Sequence, residues 1–273
     1  MNVLLATDLS EAGLASVHGL LACECAAFDT VTLLHVIDLD LYTAGGSVPQ
    51  LQEWAAGELE KTATEMREQG FAVEVRVEVG PTVASIHKVA DEAGADLVVV
   101  TNLGRNAVVG RLLGSTAERL PLATNLPVLI ERVGHDGEHW CHMGSASPFA
   151  RVLLGVDVLE DDPTVLLNGV LELPGVQSVT LSHVAADESA RVAAEANLQS
   201  AIDALAPRVP VQAATAIGDP AEWLLAEARA VDPTAIAVAA CRHGMLHREI
   251  LGSVAREVAV HADRAVLLLP ASR

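Results

Sequence analysis

An aspartate closes the first apolar run of the chain, VLLATD ending at Asp8, and a glycine loop opens after the run LVVVT that ends at Thr101. In that loop Gly104 is followed by nine residues and then by Gly114, Ser115 and Thr116, which lead into a helical pattern. A helix start presents unpaired backbone N–H groups and the positive end of its dipole, glycine lets an anion come close to the backbone, and a hydroxyl adds a donor. That is the chemistry of a phosphate cradle. Gly-Ser at a helix start is weak evidence alone, because serine is also an ordinary N-cap. Position adds to it. In an open parallel sheet, ligands bind beyond the carboxyl ends of strands where the strand order reverses, and Asp8, Val36 and the loop after Thr101 all fall at such ends.

Those ends exist only if the apolar runs form strands. LVVV, AIAV and AVLLL are short, unbroken and apolar, as a parallel sheet buried on both faces requires. In the first half the pattern predicts strands over 3–7, 30–36, 72–79, 97–101 and 128–132, with helices near 11–25, 51–69, 82–93 and 114–123. Asp219 before Pro220 predicts a capped helix start, Thr82 after Pro81 a similar cap, and Gly70 and Gly94 mark helix ends.

The whole pattern occurs twice. Residues 94–131 return 138 residues later, NVLLATD (2–8) matches RVLLGVD (151–157), and VTLLHV (31–36) matches VTLSHV (179–184). A long unit repeated once marks a duplicated domain and not a solenoid. The expected organisation is a first domain over 1–133, a linker over 134–150 and a second domain over 151–273. The fold class is α/β, with two tandem doubly wound domains, each a five-stranded parallel sheet flanked by helices. The drift in offset, from 149 at Asp8/Asp157 to 138 at Gly80/Gly218, places an insertion after the second strand of the first copy, around 40–50 and just before Trp54.

Composition narrows the function. The chain has 273 residues, 51% of them hydrophobic but only 3% aromatic, so its cores must be built from Val, Leu, Ile and Ala. With 36 Asp and Glu against 17 Lys and Arg, the formal charge of −19 excludes nucleic acid and anionic lipid as partners. No apolar run approaches the ~18 residues of a membrane span, and no secretory signal opens the chain, so a cytoplasmic location is expected. Four cysteines form no disulfide framework. The linker gathers His135, Asp136, Glu138, His139, Cys141, His142 and Met143, but their spacing matches no closed metal site, and no metal is assigned. No catalytic set stands out either. His35 and His183 fall at equivalent strand ends, which favours a shared structural role.

Asp8, Val36 and Gly104-x9-Gly114-Ser115 together resemble the universal stress protein family, whose nucleotide-binding members carry Gly-x2-Gly-x9-Gly-Ser/Thr after the fourth strand. The resemblance covers essentially the whole chain, as a tandem protein. It implies that Asp8 and Val36 contact ribose and adenine, that Gly104, Gly114, Ser115 and Thr116 hold the phosphates, and that Ala6, Thr7, Thr101, Leu103 and Arg105 belong to the same nucleotide site. Thr101 stands where the family has its first glycine. In the second copy Asp157, Val184, Gly252 and Ser253 are kept, while Ala239 and Arg242 replace the loop glycines. That copy reads as a degenerate site, or as one in which Arg242 or His243 grips phosphate. The resemblance thus implies a non-catalytic stress-response protein that binds an adenine nucleotide in its first domain, ATP before ADP or AMP, with Mg2+ as an accessory. It would act as a nucleotide-linked interaction module, a homodimer with a further protein partner. The alternatives are a purely structural assembly protein without nucleotide and a slow ATPase.

Overall fold

The computed structural model describes residues 1–21, 28–40, 47–101, 113–135, 140–142, 147–240 and 251–270. The first half runs β1 (Asn2–Ala6), α1 (Glu11–Leu21), β2 (Thr30–Ile37), α2 (Val48–Glu68), β3 (Val73–Val79), α3 (Thr82–Glu92), β4 (Leu97–Thr101), α4 (Ser115–Ala123) and β5 (Val128–Glu131). A short pair, β6 (Val133–His135) and β7 (Trp140–His142), follows. The second half runs β8 (Arg151–Gly155), α5 (Pro163–Leu171), β9 (Ser178–Ala185), α6 (Glu188–Leu205), β10 (Val211–Ile217), α7 (Pro220–Val231), β11 (Ala235–Ala239), α8 (Ser253–His261) and β12 (Ala265–Leu269).

Alternation along the central strands builds a layer on each face of the sheet. Val3 and Leu5 of β1 join Leu20 of α1 and Leu59 and Met66 of α2, whereas Leu4 between them joins Ile86 and Val89 of α3 and Leu120 of α4. A strand buried on both faces has no polar side to show, which is why its sequence is an unbroken apolar run. The second half repeats the arrangement, with Leu166 of α5 and Leu198 of α6 on one face and Leu224 of α7 and Val258 of α8 on the other.

Within each half the strands are parallel, in the orders β3-β2-β1-β4-β5 and β10-β9-β8-β11-β12. The halves then share one 10-stranded sheet, because β5 pairs antiparallel with β12. The register sets Leu129 opposite Leu267, Val128 opposite Leu268 and Ile130 opposite Val266. Leu129 and Leu267 are the same position in the two copies, so a pseudo-twofold axis passes between them. The two terminal strands cover each other's edges, which bare would template association with other chains.

Local chemistry fixes most boundaries. Gly70 (φ +97°) and Gly94 (φ +58°) take the left-handed conformation just beyond α2 and α3. Asp219 caps α7 by accepting from Glu222 N–H at 2.9 Å. Thr82 does not cap α3: its N–H (3.2 Å) and hydroxyl (3.1 Å) both donate to Asp38 Oδ2, so the cap comes from the loop after β2. The connection between the halves is likewise more structured than its lost periodicity suggests. It carries the antiparallel β6–β7 pair, with Gly134 opposite Cys141, and its end is buried at Ser147 and Phe149. The insertion lies in the β2–α2 connection, residues 38–47, whose counterpart from β9 to α6 is only 186–187. Trp54 on α2 is half exposed.

Candidate functional site

The strand order reverses between β1 and β4. β1 leads by way of α1 to β2 on one side, β4 leads by way of α4 to β5 on the other, and Ala6 lies beside Val100 where the two strands end. Beyond Ala6 the chain turns sharply, with Leu9 in the left-handed region at φ +59°. Asp8 is exposed, and its Oδ1 accepts from the Ser10 N–H (3.0 Å) and the Ser10 hydroxyl (2.5 Å). Ser10 Oγ in turn accepts from the Gly13 N–H at 3.1 Å, capping α1. One serine thus fixes both the helix start and the aspartate's direction. Gly13 completes the cluster, for a Cβ there would lie 2.7 Å from Asp8 Oδ1 and 2.8 Å from Thr7 Oγ1. Neither Ser10 nor Gly13 was legible as a site residue, since their part depends on how α1 folds back onto the end of β1.

His35 buttresses the same turn from β2. Its ring is buried, and Nδ1 lies 2.9 Å from the Thr7 carbonyl oxygen, an acceptor, so Nδ1 carries the proton. Burial lowers its pKa below the ordinary histidine value, against the smaller opposing influences of the Thr7 carbonyl and Asp8. His183 repeats the contact with the Val156 carbonyl at 2.9 Å, the same position in the second copy. The shared structural role expected from sequence is therefore present, and it holds the turn that carries Asp8 in one half and Asp157 in the other.

On the α3/α4 face of the sheet Ala6, Val36, Val83 and Leu113 are partly buried and pack against its apolar layer. Thr101 ends β4, half-buried and paired in register with Glu131. Leu103, Gly104, Arg105 and Arg111 lie outside the described residues, as do Arg242 and His243 of the second copy. Gly114 stands at the N-cap of α4 in extended conformation, and a Cβ placed on it would meet nothing within 4 Å among the described residues. Ser115 is exposed and Thr116 half-buried.

The start of α4 differs from most helix starts in the molecule. Asp162, Asp187 and Asp219 cap α5, α6 and α7, Ser10 caps α1, and Asp38 caps α3. At α4 and α8 the N-caps are Gly114 and Gly252, with no side-chain cap among the described residues. Among the described residues no side chain accepts from the N–H groups of these first turns, the groups a helix start offers to a ligand or solvent.

In the second half a cavity of about 90 Å³ opens at the equivalent place. Asp157 at the end of β8, His183 and Val184 of β9, Ala239 of β11, and Gly252 and Ser253 at the start of α8 all line it. Four of the five positions assigned to this copy from sequence therefore converge. Gly155, where the first copy has Ala6, sits under Leu224: a Cβ there would lie 2.7 Å from Leu224 Cδ1. Trp223 Nε1 donates to Ser182 Oγ at 3.2 Å, which ties α7 to β9 beside the cavity's Ser182. Among the described residues no group of three or more His, Cys, Asp or Glu can hold a metal ion.

A family model for the universal stress proteins matches residues 1–132 and again 149–270. The chain belongs to the universal stress protein family. Each half is one copy of the family's domain. A universal stress protein of Methanocaldococcus jannaschii is 30% identical over 150 residues, which make up 47% of this chain and 93% of that protein. One from Mycobacterium tuberculosis is 43% identical over 58 residues, 21% of this chain and 40% of that protein. A solved universal stress protein from Archaeoglobus fulgidus has the same fold over 98% of both chains, with a TM-score of 0.78 at 23% identity. No helix among the described residues is long and apolar enough to cross a membrane.

Proposed function

We propose that this universal stress protein binds an adenine nucleotide, ATP before ADP or AMP, at the carboxyl ends of β1 and β4 in its first half. The observation that carries the reading is the start of α4, where among the described residues no side chain caps the helix and none crowds Gly114, beyond the switch point. Gly114, Ser115 and Thr116, with Gly104 and Arg105 of the preceding loop, would hold the phosphates. Asp8, pre-aimed by Ser10, would accept from the ribose hydroxyls, and the partly buried apolar residues Ala6, Val36, Val83 and Leu113 would seat the base. Bound Mg2+ would offset phosphate charge in a protein whose net charge is −19.

The chemistry on offer is binding and not turnover. Asp8 is engaged by Ser10, and the two lysines stand elsewhere, Lys61 on α2 paired with Glu58 and Lys88 on α3 paired with Glu78. Nucleotide would instead order the loop after β4 and bias a surface for a protein partner. The cavity at Asp157, Val184, Gly252 and Ser253 favours a second reading, in which the second half also holds a ligand.

Calorimetric titration with ATP, ADP and AMP, with and without Mg2+, tests both readings. Gly104→Arg, which installs the residue of position 242, is expected to abolish the first-half site with the fold intact. Ser115→Ala should weaken binding about tenfold or more, since a hydrogen bond to a charged group contributes about 1.5–3 kcal/mol. Affinity unchanged in Gly104→Arg would move the site to the second half, and no binding by the wild type would leave the protein a structural module.

A further inference from the structure

The register of the β5–β12 seam centres the pseudo-twofold axis on Leu129 and Leu267, so a side chain that reaches the axis meets its own counterpart. Leu129 meets Leu267, identical in kind. Glu118 of α4 meets Arg256 of α8, its counterpart 138 residues on, and Arg256 Nε donates to Glu118 Oε1 at 3.0 Å. An axis between two identical halves would make any such position face itself. Two first halves joined this way would oppose Glu118 with Glu118, and two second halves would oppose Arg256 with Arg256.

A second contact is asymmetric in the same sense. Arg132, just beyond β5, donates from its guanidinium to the carbonyl oxygen of Ala259 in the last turn of α8, one of the carbonyls a helix leaves without an internal partner. Burial pushes this guanidinium down to about 10, and the charge of Asp263 opposes that shift. The counterpart of Arg132 is Pro270, which has no N–H to offer, and the counterpart of Asp263 is neutral Asn125. Two second halves would therefore lose the donor to Ala259. Two first halves would bury Arg132 against an asparagine in place of a carboxylate.

We infer that the seam is a hetero-specific interface, which accepts the other half of this chain and rejects a second copy of the same half. Its apolar centre is indifferent to which half it meets, so selection falls to Glu118, Arg256, Arg132 and Asp263 around it. Like charges set opposite one another suppress wrong pairings more than the matched, half-exposed pair adds to the right one. Duplication makes such a device available, because once two copies encode the two faces of a twofold contact those faces can diverge. The chain thereby keeps its two terminal edges for itself.

The intact chain supplies the first test. Glu118→Arg and Arg256→Glu are each expected to lower the thermal midpoint by about 2–4 °C, and the charge-swapped double variant to recover most of the loss. The second test cuts the folded wild-type chain at a protease site inserted in 143–146, then reads the composition of the complexes by native mass spectrometry after mild dissociation and re-pairing. About nine in ten re-formed pairs should join a first half to a second half. In Glu118→Gln/Arg256→Gln/Arg132→Gln the pairs should move toward the statistical mixture. Additive effects in the first test, or statistical pairing or lasting separation of wild-type halves in the second, would overturn the inference.

Discussion

The Nδ1 of His35 and the carbonyl oxygen of Thr7 are 2.9 Å apart, and this one bond ties the end of β2 to the turn that aims Asp8. Since the ring is buried and its pKa lowered by that burial, it stays neutral in the folded protein where a free histidine would be gaining a proton. The sign follows from linkage. Below the unfolded value of about 6.5 the unfolded chain binds more protons, so this residue's contribution is whole above that pH and is lost as pH falls toward the folded value. His35→Asn places an amide N–H near the same carbonyl and cannot be protonated. Its thermal midpoint is expected to trail the wild type slightly at pH 8, with the gap narrowing or reversing by pH 5. A gap that does not change with pH would mean that His35 is not the titrating group.

The cluster around Asp8 gives a prediction that separates binding from stability. Alanine is the better helix former by about 1 kcal/mol, so Gly13→Ala should leave α1 as stable as before or more so. Its Cβ, however, would fall 2.7 Å from Asp8 Oδ1 and 2.8 Å from Thr7 Oγ1, so both side chains must give way, a cost that offsets the helix gain. ATP affinity should drop about tenfold, equivalent to ~1.4 kcal/mol, with the thermal midpoint of the free protein little changed. Unchanged affinity would show that the aim of Asp8 does not matter to the ligand.

The strands were legible because burial on both faces leaves a plain mark, an apolar run such as LVVV, and because the second copy repeats it. Duplication also made the equivalence of His35 and His183 visible before any contact was known. What sequence did not reveal depends on elements distant in the chain. Asp38 caps α3 from 44 residues away, so the nearer Thr82 looked like the cap. The β6–β7 pair is too short and polar to leave a period. The second-half cavity is lined by Leu224 of α7 where it lies over Gly155, an approach that no spacing discloses.

Gly114 sets helix stability against ligand binding, and a single substitution can move the two in opposite directions. Asp162, Asp187 and Asp219 show what this fold does at a helix start without a ligand to receive: a carboxylate accepts from the first-turn amides. Gly114 has a φ of −64°, and no described residue lies within 4 Å of its Cβ position, so the backbone accepts aspartate without strain. Gly114→Asp should therefore cap α4 and stabilise the protein by a few tenths of a kcal/mol relative to glycine. The same carboxylate would occupy the amides and repel phosphate at the place where the dipole otherwise attracts it. Thermal melting and calorimetric titration on one preparation test both halves of the argument. The expected result is an equal or higher midpoint in the free protein, together with loss of ATP binding and of any ATP-induced rise in that midpoint. Retained binding would mean that the phosphates do not lie at the start of α4, and a lowered midpoint would mean that the glycine is needed there for the fold itself.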